Sequence, residues 1–464
     1  MTQTYDLIIV GAGPTGIFAA METVRQQPDW KVLILDRGND ITQRSCPMTK
    51  ASVPCVRCPR CAITSGWGGA GAFSDGKLTL TTDFGGWLTD YIGHQQLEEY
   101  IAQVDKTFVD FGAPSKVYGM DEQAIRGLKR LAATAELHFL PARIRHLGTD
   151  NNFKILTAIR QELENKVEIR TNTAVAELLT ADTSGEPTVT GVLLESGEHI
   201  NCRYLICAPG RDGHEWFDGE AKRLKLSQSN NPVDIGVRVE LPAVITENLT
   251  DVIYESKFIY YSPSFDDQVR TFCMNPYGVV VSENTRGLCT VNGHSYTDRR
   301  SENTNFALLV SKNFTVPFTQ PIAYGKYIAT LANLLGDGVL VQRLGDLRDG
   351  RRSTTDRIHR GLVRPTLKEA TPGDLSLVLP YRHLRNIIEM LEALDKVAPG
   401  VASRHTLLYG VEAKFYSSRL QLSKDLETQV RNLFAAGDGA GVTRGLVQAS
   451  ASGLIAAKAI CDRG

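Results

Sequence analysis

The chain contains no apolar run long enough to cross a membrane. Its two most apolar uncharged stretches, residues 7–21 and 445–457, are both interrupted by glycine. Both fall short of the roughly 18 apolar residues that a spanning helix needs. Neither charge sign is in excess, since 51 Lys and Arg against 52 Asp and Glu leave a net charge of −1 over 464 residues. No broad basic surface is available to grip a phosphate backbone, so a nucleic-acid partner is disfavoured. The opening MTQTYD carries no Lys or Arg. It does not read as a secretory leader, and a cytoplasmic protein is expected. The nine histidines include no HxxH or HExxH spacing, which removes a common zinc-hydrolase pattern. Internal repeats and low-complexity tracts are also missing. What remains is 42% hydrophobic and 22% charged. That is ordinary for a globular protein, and the length suggests two or three domains.

One motif stands out against that background. YDLIIV (5–10) reads as a short buried strand. It runs straight into Gly11-Ala12-Gly13-Pro14-Thr15-Gly16, and residues 17–26 then carry apolar residues at helical spacing. KVLILD (31–36) is a second strand, which completes a βαβ opening. In such a unit Gly11 permits the tight turn, Gly13 lets backbone approach a pyrophosphate, and Gly16 allows close helix–sheet packing. The helix N-terminus offers N–H groups and a positive dipole end to the phosphates. Asp36 ends the second strand, where a carboxylate can accept hydrogen bonds from ribose hydroxyls. A Rossmann-type dinucleotide site is therefore predicted, with Pro14, Thr15 and Arg37 as further contacts. No second strand–GxGxxG–helix unit follows. Gly325, Gly336 and Gly338 have no strand before them, so a dedicated NAD(P)H domain is not expected.

The far end of the chain indicates which dinucleotide. NLFAAGDGAG (432–441) resembles the closing segment of flavoproteins of the two-domain, glutathione-reductase-like superfamily. The resemblance implies FAD, with Gly437 and Asp438 near its ribityl and diphosphate. It also implies that Gly445 and Leu446, opening the next helix, lie at the isoalloxazine edge. YLICAPGRDG (204–213) resembles that superfamily's intermediate Ala-Thr-Gly motif and implies contacts from Ala208 and Gly210, with Pro209 in place of the usual Thr. Val175, in TNTAV, matches the strand position whose backbone meets adenine, and Asp36 stands where Glu is commoner. Four longer segments are GWGGAGAFSDGKLTL (66–80), RHLGTD (145–150), RTFCMNPYG (270–278) and GDGAGVTRGLVQASASG (437–453). They are similar to the poorly characterised bacterial and archaeal FAD-dependent dehydrogenases of this superfamily. That resemblance implies a flavoenzyme without naming a substrate.

The loop at 66–76 also has a physical reading. Gly66, Gly68, Gly69 and Gly71 allow backbone to lie flat against a planar ring. Ser74, Asp75 and Lys77 add donors and charge, and a cation or N–H beside a flavin favours its anionic reduced form. Gly68, Gly69 and Ser74 are expected cofactor contacts, and Lys77 is a catalytic candidate. Just upstream, Cys46, Cys55, Cys58 and Cys61 crowd into one short stretch. Four thiolates suit a [4Fe–4S] cluster or a zinc ion, and free or reversibly oxidised thiols are the alternative. Cys202, Cys207 and Cys461 lie in apolar contexts and are expected in the core.

Other candidates are scattered. Cys273 and His294 fall in the expected substrate domain and are the remaining catalytic candidates, while His146 reads as a hydrogen-bonder. VQRLGDLRDGRRST (341–354) carries Arg343, Arg351 and Arg352. It suits a substrate carboxylate or phosphate, and equally a solvated loop. Glu412 and Lys414 resemble family positions near the flavin.

The expected architecture is α/β. A discontinuous FAD domain spans 1–215 and 401–464 and includes the Cys/Gly-rich loop 41–80. A β-rich α+β substrate or cap domain spans 216–400. The leading function is an FAD-dependent oxidoreductase that moves a hydride or electrons through flavin N5 to or from a small molecule, with NAD(P)H or a protein as electron donor. One alternative is a flavin/iron–sulfur electron-transfer module with a protein partner. Another is an FAD-dependent RNA-modifying enzyme, which would need a basic groove that the balanced charge does not favour.

Overall fold

A computed structural model describes every residue except 1–3, 48–55, 57, 75, 184, 230–231, 286, 297–299, 313, 315–316, 319 and 415–417. Two compact units result. The first comprises Met1–Ser115, Arg145–Asn231 and Ser417–Gly464; the second comprises Lys116–Ile144 and Pro232–Tyr416.

Unit 1 is built on the predicted βαβ opening. Strand Thr4–Val10 leads into helix Pro14–Gln26 and then strand Val32–Leu35. Thr4–Val10 pairs in parallel with Val32–Leu35 on one side and with His199–Cys207 on the other. Leu7, Ile8 and Ile9 are fully buried, as expected for a parallel strand covered on both faces. Glu168–Arg170 extends the sheet beyond Val32–Leu35. At the opposite side, Leu433–Ala435 pairs in parallel with the C-terminal half of His199–Cys207. An antiparallel meander, Val175–Thr183 to Glu186–Leu194 to His199–Cys207, leaves from the other half of that strand. The last helix, Leu446–Cys461, packs on Pro14–Gln26 through small residues. A Cβ on its Gly453 would meet Thr15 O at 2.1 Å.

Unit 2 is an eight-stranded, mostly antiparallel sheet. Its order is Thr371–Pro372, Leu340–Arg343, Leu407–Lys414, Val233–Pro242, Asn303–Lys312, Gln268–Asn275, Lys257–Tyr261 and His138–Leu140. Its central strand alternates strictly. Val233, Ile235, Val237, Val239 and Leu241 enter one apolar core with Phe306, Leu308 and Val310 of the neighbouring strand. Helix Tyr381–Asp395 adds Leu384, Ile387, Met390 and Leu391 to that core, and helix Pro321–Gly336 adds Ile328 and Ala332. Asp234, Arg238 and Glu240 alternate with the apolar set and are just as buried. Period two puts them on the opposite face of the sheet.

This division departs from the expected boundaries in three places, the first being residues 216–231, which stay in unit 1 with Phe217, Ala221 and Leu226 in the core of its sheet. Lys116–Ile144 joins unit 2 because Leu128, Ala132 and Phe139 enter its core. Strand His138–Leu140 pairs with Lys257–Tyr261, with Phe139 and Phe258 ring centroids 5.1 Å apart. Residues 401–416 join unit 2 because Leu407–Lys414 pairs with both Val233–Pro242 and Leu340–Arg343. No helix among the described residues is long and apolar enough to cross a membrane.

One core group sets a pH dependence. His383 is buried, and neither ring nitrogen has a hydrogen-bond partner. Burial pushes its pKa down to about 4. Lys312 and Arg382 push the same way, and Asp267 opposes them. An unfolded imidazole titrates near ~6.5. Between those values the unfolded chain binds a proton that the folded chain refuses. Stability therefore falls as pH drops through this window, approaching a loss of about 3 kcal/mol. Urea unfolding at stepped pH should show His383→Phe losing that dependence; parallel pH profiles for mutant and wild type would count against it.

Candidate functional site

The glycine turn of unit 1 is where the predicted motifs meet. Gly11 has φ +107°, and a Cβ there would lie 2.1 Å from Ala208 O; a Cβ on Gly16 would lie 1.9 Å from Gly11 O. Both glycines are demanded by backbone packing. Gly13 is different. Its φ is −77°, and a Cβ would meet only Gly69 Cα, at 3.8 Å. Gly13 N-caps the helix with no side-chain cap, Pro14 occupies the first turn, and no acidic residue lies in that turn. The first-turn N–H groups of Thr15 and Gly16 thus form an open anion seat with the positive dipole end behind them.

The Gly-rich loop docks on this turn. Gly68 N–H donates to Ala12 O at 2.7 Å, and Gly69 N–H donates to Gly66 O at 2.8 Å. Gly68 (φ +84°) and Gly69 (φ +56°) lie in the left-handed region, which glycine adopts without strain. Trp67 is fully buried under the loop and donates Nε1–H to Leu156 O at 2.9 Å. Ser74 Oγ donates to Gly71 O at 2.7 Å. Lys77, half-buried, opens the short strand Lys77–Thr79 in the same unit.

The C-terminal segment closes the ring of contacts. A Cβ on Gly437 would strike Thr15 Oγ1 at 2.4 Å, one on Gly439 would meet Gly210 O at 2.9 Å, and one on Gly71 would strike Leu446 Cδ2 at 2.5 Å. Gly437 N–H donates to Ser452 Oγ. Asp438 Oδ1 accepts from Thr443 Oγ1 at 2.8 Å, and desolvation raises the carboxyl's pKa. Gly445 (φ +100°) N-caps the last helix at Leu446, and Gly210 has φ +64°. A Cβ at either would meet nothing within 4 Å. Ala208 N–H donates to Val10 O at 2.8 Å, and Val175 is a buried residue opening its strand.

Asp36 is more tightly engaged than a ribose acceptor needs to be. Its Oδ2 accepts from Ala12 N–H at 2.8 Å and its Oδ1 from Gly38 N–H at 2.7 Å. It thereby ties the end of the second strand to the glycine turn, and each oxygen keeps a lone pair for a hydroxyl. Arg37 Nη1 lies 3.5 Å from Asp212 Oδ2, which also accepts from Ser65 Oγ at 2.5 Å.

One organising residue carries no sequence signal. Arg44 is buried and donates to Ala62 O (2.9 Å), Ile63 O (2.8 Å) and Trp67 O (2.6 Å), with its guanidinium 4.8 Å from the Phe73 centroid. Burial pushes its pKa down to about 10, against the pull of Asp36 and Cys61. It moulds the descent from the cysteines into the Gly-rich loop. A lone Arg in an aperiodic segment gives no pattern by which to find it.

The cysteine cluster is only partly visible. Cys55 lies outside the described residues, Cys58 is exposed, and Cys46 and Cys61 are half-buried. Among the described residues no group of three or more His, Cys, Asp or Glu is placed to hold a metal. The other expected candidates separate. Lys77 belongs to unit 1, whereas Cys273 and His294 belong to unit 2. Cys273 adopts φ +44° at a register shift in its strand, and its N–H donates to Glu255 Oε1 at 3.2 Å. His294 ends its strand, half-buried, 6.5 Å from the Tyr296 ring. His146 is half-buried at the end of Ile144–His146. The charged segment at 341–354 folds as strand Leu340–Arg343 and helix Leu344–Arg348 instead of an open loop. Its Asp346 is fully buried and accepts from Arg343, Arg351 and Ser353. That leaves Arg343 and Arg351 engaged within the segment. Arg352 is exposed.

Unit 2 also buries a polar network centred on Arg238, which the sequence did not single out, and Glu412 and Lys414, named above for their family resemblance, belong to it. Arg238 and Glu412, both fully buried, form a bidentate pair at 2.8 and 3.0 Å. Arg238 further donates to Asn305 Oδ1 (2.8 Å), Cys273 O (3.1 Å), Asn275 Oδ1 (3.2 Å) and Asn292 Oδ1 (3.3 Å). Lys414 Nζ reaches Glu412 at 2.7 Å. Burial pushes the Glu412 pKa up, but Arg238 and Lys414 outweigh it and hold the carboxyl below its usual range. Nearby, Glu240 accepts from Tyr409 OH and Thr366 Oγ1, both at 2.5 Å, and from Asn303 Nδ2. Burial leaves its pKa raised.

Comparison with known proteins adds the following. The chain is 27% identical over 481 aligned positions to an uncharacterised protein of Clostridium beijerinckii, covering 98% of this chain and 80% of that one. Among solved structures, E. coli quinol fumarate reductase FrdA is 14% identical, with a TM-score of 0.41 and coverage of 100% of this chain and 71% of that chain. Glycine oxidase from Geobacillus kaustophilus is 12% identical with a TM-score of 0.41, and L-proline dehydrogenase from P. horikoshii is 11% identical with a TM-score of 0.42. Each of those two pairings covers 100% of this chain and 95% of the other. Residues 232–415, the main segment of unit 2, match the family model described as FAD-dependent protein, C-terminal domain-like.

Proposed function

We propose that the chain is an FAD-dependent oxidoreductase acting on a small molecule, with NAD(P)H or a protein as its electron partner. The observation that carries this reading is the glycine cradle of unit 1. Four segments distant in sequence converge on the Gly11–Gly16 turn; a Cβ on Gly210 or Gly445 would meet nothing within 4 Å, and one on Gly13 only Gly69 Cα, at 3.8 Å. Such a cradle suits a long, flat, doubly phosphorylated ligand. The match of residues 232–415 to an FAD-dependent family model supports the same choice of cofactor.

In this reading Thr15 and Gly16 N–H groups hold the diphosphate, with Asp36 at the adenosine ribose and Asp438 at the ribityl chain. Backbone at Gly68 and Gly69 and the start of the last helix line the ring system. Bound FAD would supply two-electron chemistry, while the protein supplies orientation and local charge. Asp438, with its carboxyl drawn toward neutrality by burial, can share a proton with a hydroxyl more readily than an exposed Asp. Trp67 and Arg44 hold the Gly-rich loop rigid from behind and keep water away from it.

Purified protein should carry FAD at close to one per chain, released intact on denaturation and bleached by dithionite. A colourless protein that takes up no FAD on reconstitution would remove the reading.

A further inference from the structure

We propose that the chain pairs with a second copy of itself through the outer face of helix Pro321–Gly336, the two helices running antiparallel across a two-fold axis. This helix is apolar on both faces. Its inner face buries Gly325, Ile328, Ala329, Ala332 and Gly336. Its outer face exposes Tyr327 (77%), Leu331 (38%), Leu334 (78%) and Leu335 (44%). Lys326 is the one charged residue in its 16. A helix that is apolar all round is ordinarily covered all round. Helix Glu122–Thr134 of the same unit shows how this chain builds a solvent face. It exposes Glu122, Arg126, Lys129 and Arg130, with Leu131 as a single large apolar side chain among them.

Tyr327, Leu331, Leu334 and Leu335 follow the spacing of one helix face, so they form one stripe. Large side chains present ~150–250 Å² each, and the exposed parts of these four amount to roughly 500 Å² per copy. Two copies would cover about 1,000 Å², the size at which a specific interface begins. The charges at the two ends select a second copy as the occupant. Lys326 lies five residues before Leu331, and Asp337 lies five residues after Ala332; both are exposed. An antiparallel pairing whose axis passes at Leu331 and Ala332 sets Lys326 of each copy opposite Asp337 of the other, once at each rim. Tyr327 of each copy then meets Leu334 and Leu335 of the other. An ammonium carries three donors, so this pairing leaves room for whatever Lys326 contacts within its own chain. The same patch on both copies makes the interface isologous and closed, which ends assembly at the dimer. A membrane surface fits less well, because an interfacial helix carries several Lys and Arg on its polar face and this one buries its other face in protein.

Sedimentation velocity on the full chain, run as a concentration series, should give twice the chain mass at micromolar concentrations. Leu334→Lys should weaken the dimer at least about a hundredfold, because each copy brings the charge into the apolar seam. That side chain is mostly in solvent, so circular dichroism and the thermal midpoint should stay at wild-type values. Tyr327→Lys repeats the test at a second position. Leu362→Lys, also exposed (75%) but off this helix, should leave the dimer intact. Lys326→Glu should weaken it about tenfold, and adding Asp337→Lys should restore it. Four results would each overturn the proposal: a monomer at every concentration, a dimer that survives both Leu334→Lys and Tyr327→Lys, a dimer lost equally in Leu362→Lys, or a charge swap that fails to weaken and then restore. The readout is mass and needs no flavin, so failure of the FAD reading would leave it standing.

Discussion

Gly13→Ala should yield a folded protein that has lost its flavin. The substitution fits the fold, because Gly13 has an ordinary φ of −77° and its Cβ would touch only Gly69 Cα at 3.8 Å. It does not fit a pyrophosphate resting on the first turn of the helix, because the methyl would occupy the approach path. FAD affinity is expected to fall at least about a hundredfold, or ~2.7 kcal/mol, with far-UV circular dichroism and thermal midpoint close to wild type. Gly11→Ala and Gly16→Ala should behave oppositely. Their Cβ atoms would sit about 2 Å from backbone oxygens, so both variants should be recovered poorly or unfolded. If Gly13→Ala keeps a full complement of FAD, the phosphates do not lie where the glycine turn puts them.

Breaking the buried ion pair of unit 2 should have the largest effect on stability. Glu412→Gln keeps the shape and removes the charge, leaving the fully buried guanidinium of Arg238 with neutral acceptors only. An uncompensated buried charge typically costs about 3–5 kcal/mol, a large share of the ~5–15 kcal/mol that holds a domain folded. Arg238→Met should cost less, because Glu412 keeps Lys414 Nζ at 2.7 Å and Asn292 Oδ1 keeps the Gly293 N–H, while Asn275 and Asn305 lose the guanidinium as donor. The double variant should lose clearly less than the sum of the two, since neither charge is then left alone. Urea unfolding of the four proteins closes this cycle, and strict additivity would mean that the two residues do not act as a pair.

Much of unit 1 was legible because its cues are local. The run YDLIIV–GAGPTG–helix–KVLILD needs nothing beyond neighbouring residues to be recognised, and it folds as read. Helix Leu446–Cys461 begins where the glycine before it suggests. The segment at 341–354 misled because a high density of Arg and Asp looks the same whether it is solvated or internally paired. Asp346 decides the matter by gathering Arg343, Arg351 and Ser353. Arg238 hid within VDIGVRVEL for a related reason. In an alternating strand a polar residue is ordinarily assigned to solvent, and nothing local says that the polar face is buried too.

The sequence by itself determined the dinucleotide fingerprint with its two strands and helix, and the helix that opens at Leu446. These follow from φ/ψ freedom at glycine and from apolar periods of 3.6 and 2, which are properties of short stretches. Only the tertiary structure decided three things. It placed the Gly-rich loop on the fingerprint through Gly68 and Ala12, assigned Lys116–Ile144 to unit 2, and paired Arg238 with Glu412 across 174 residues. Each depends on burial and on partners far away in the chain, and a charged side chain can be held out of water only once the fold has brought its counter-charge to it.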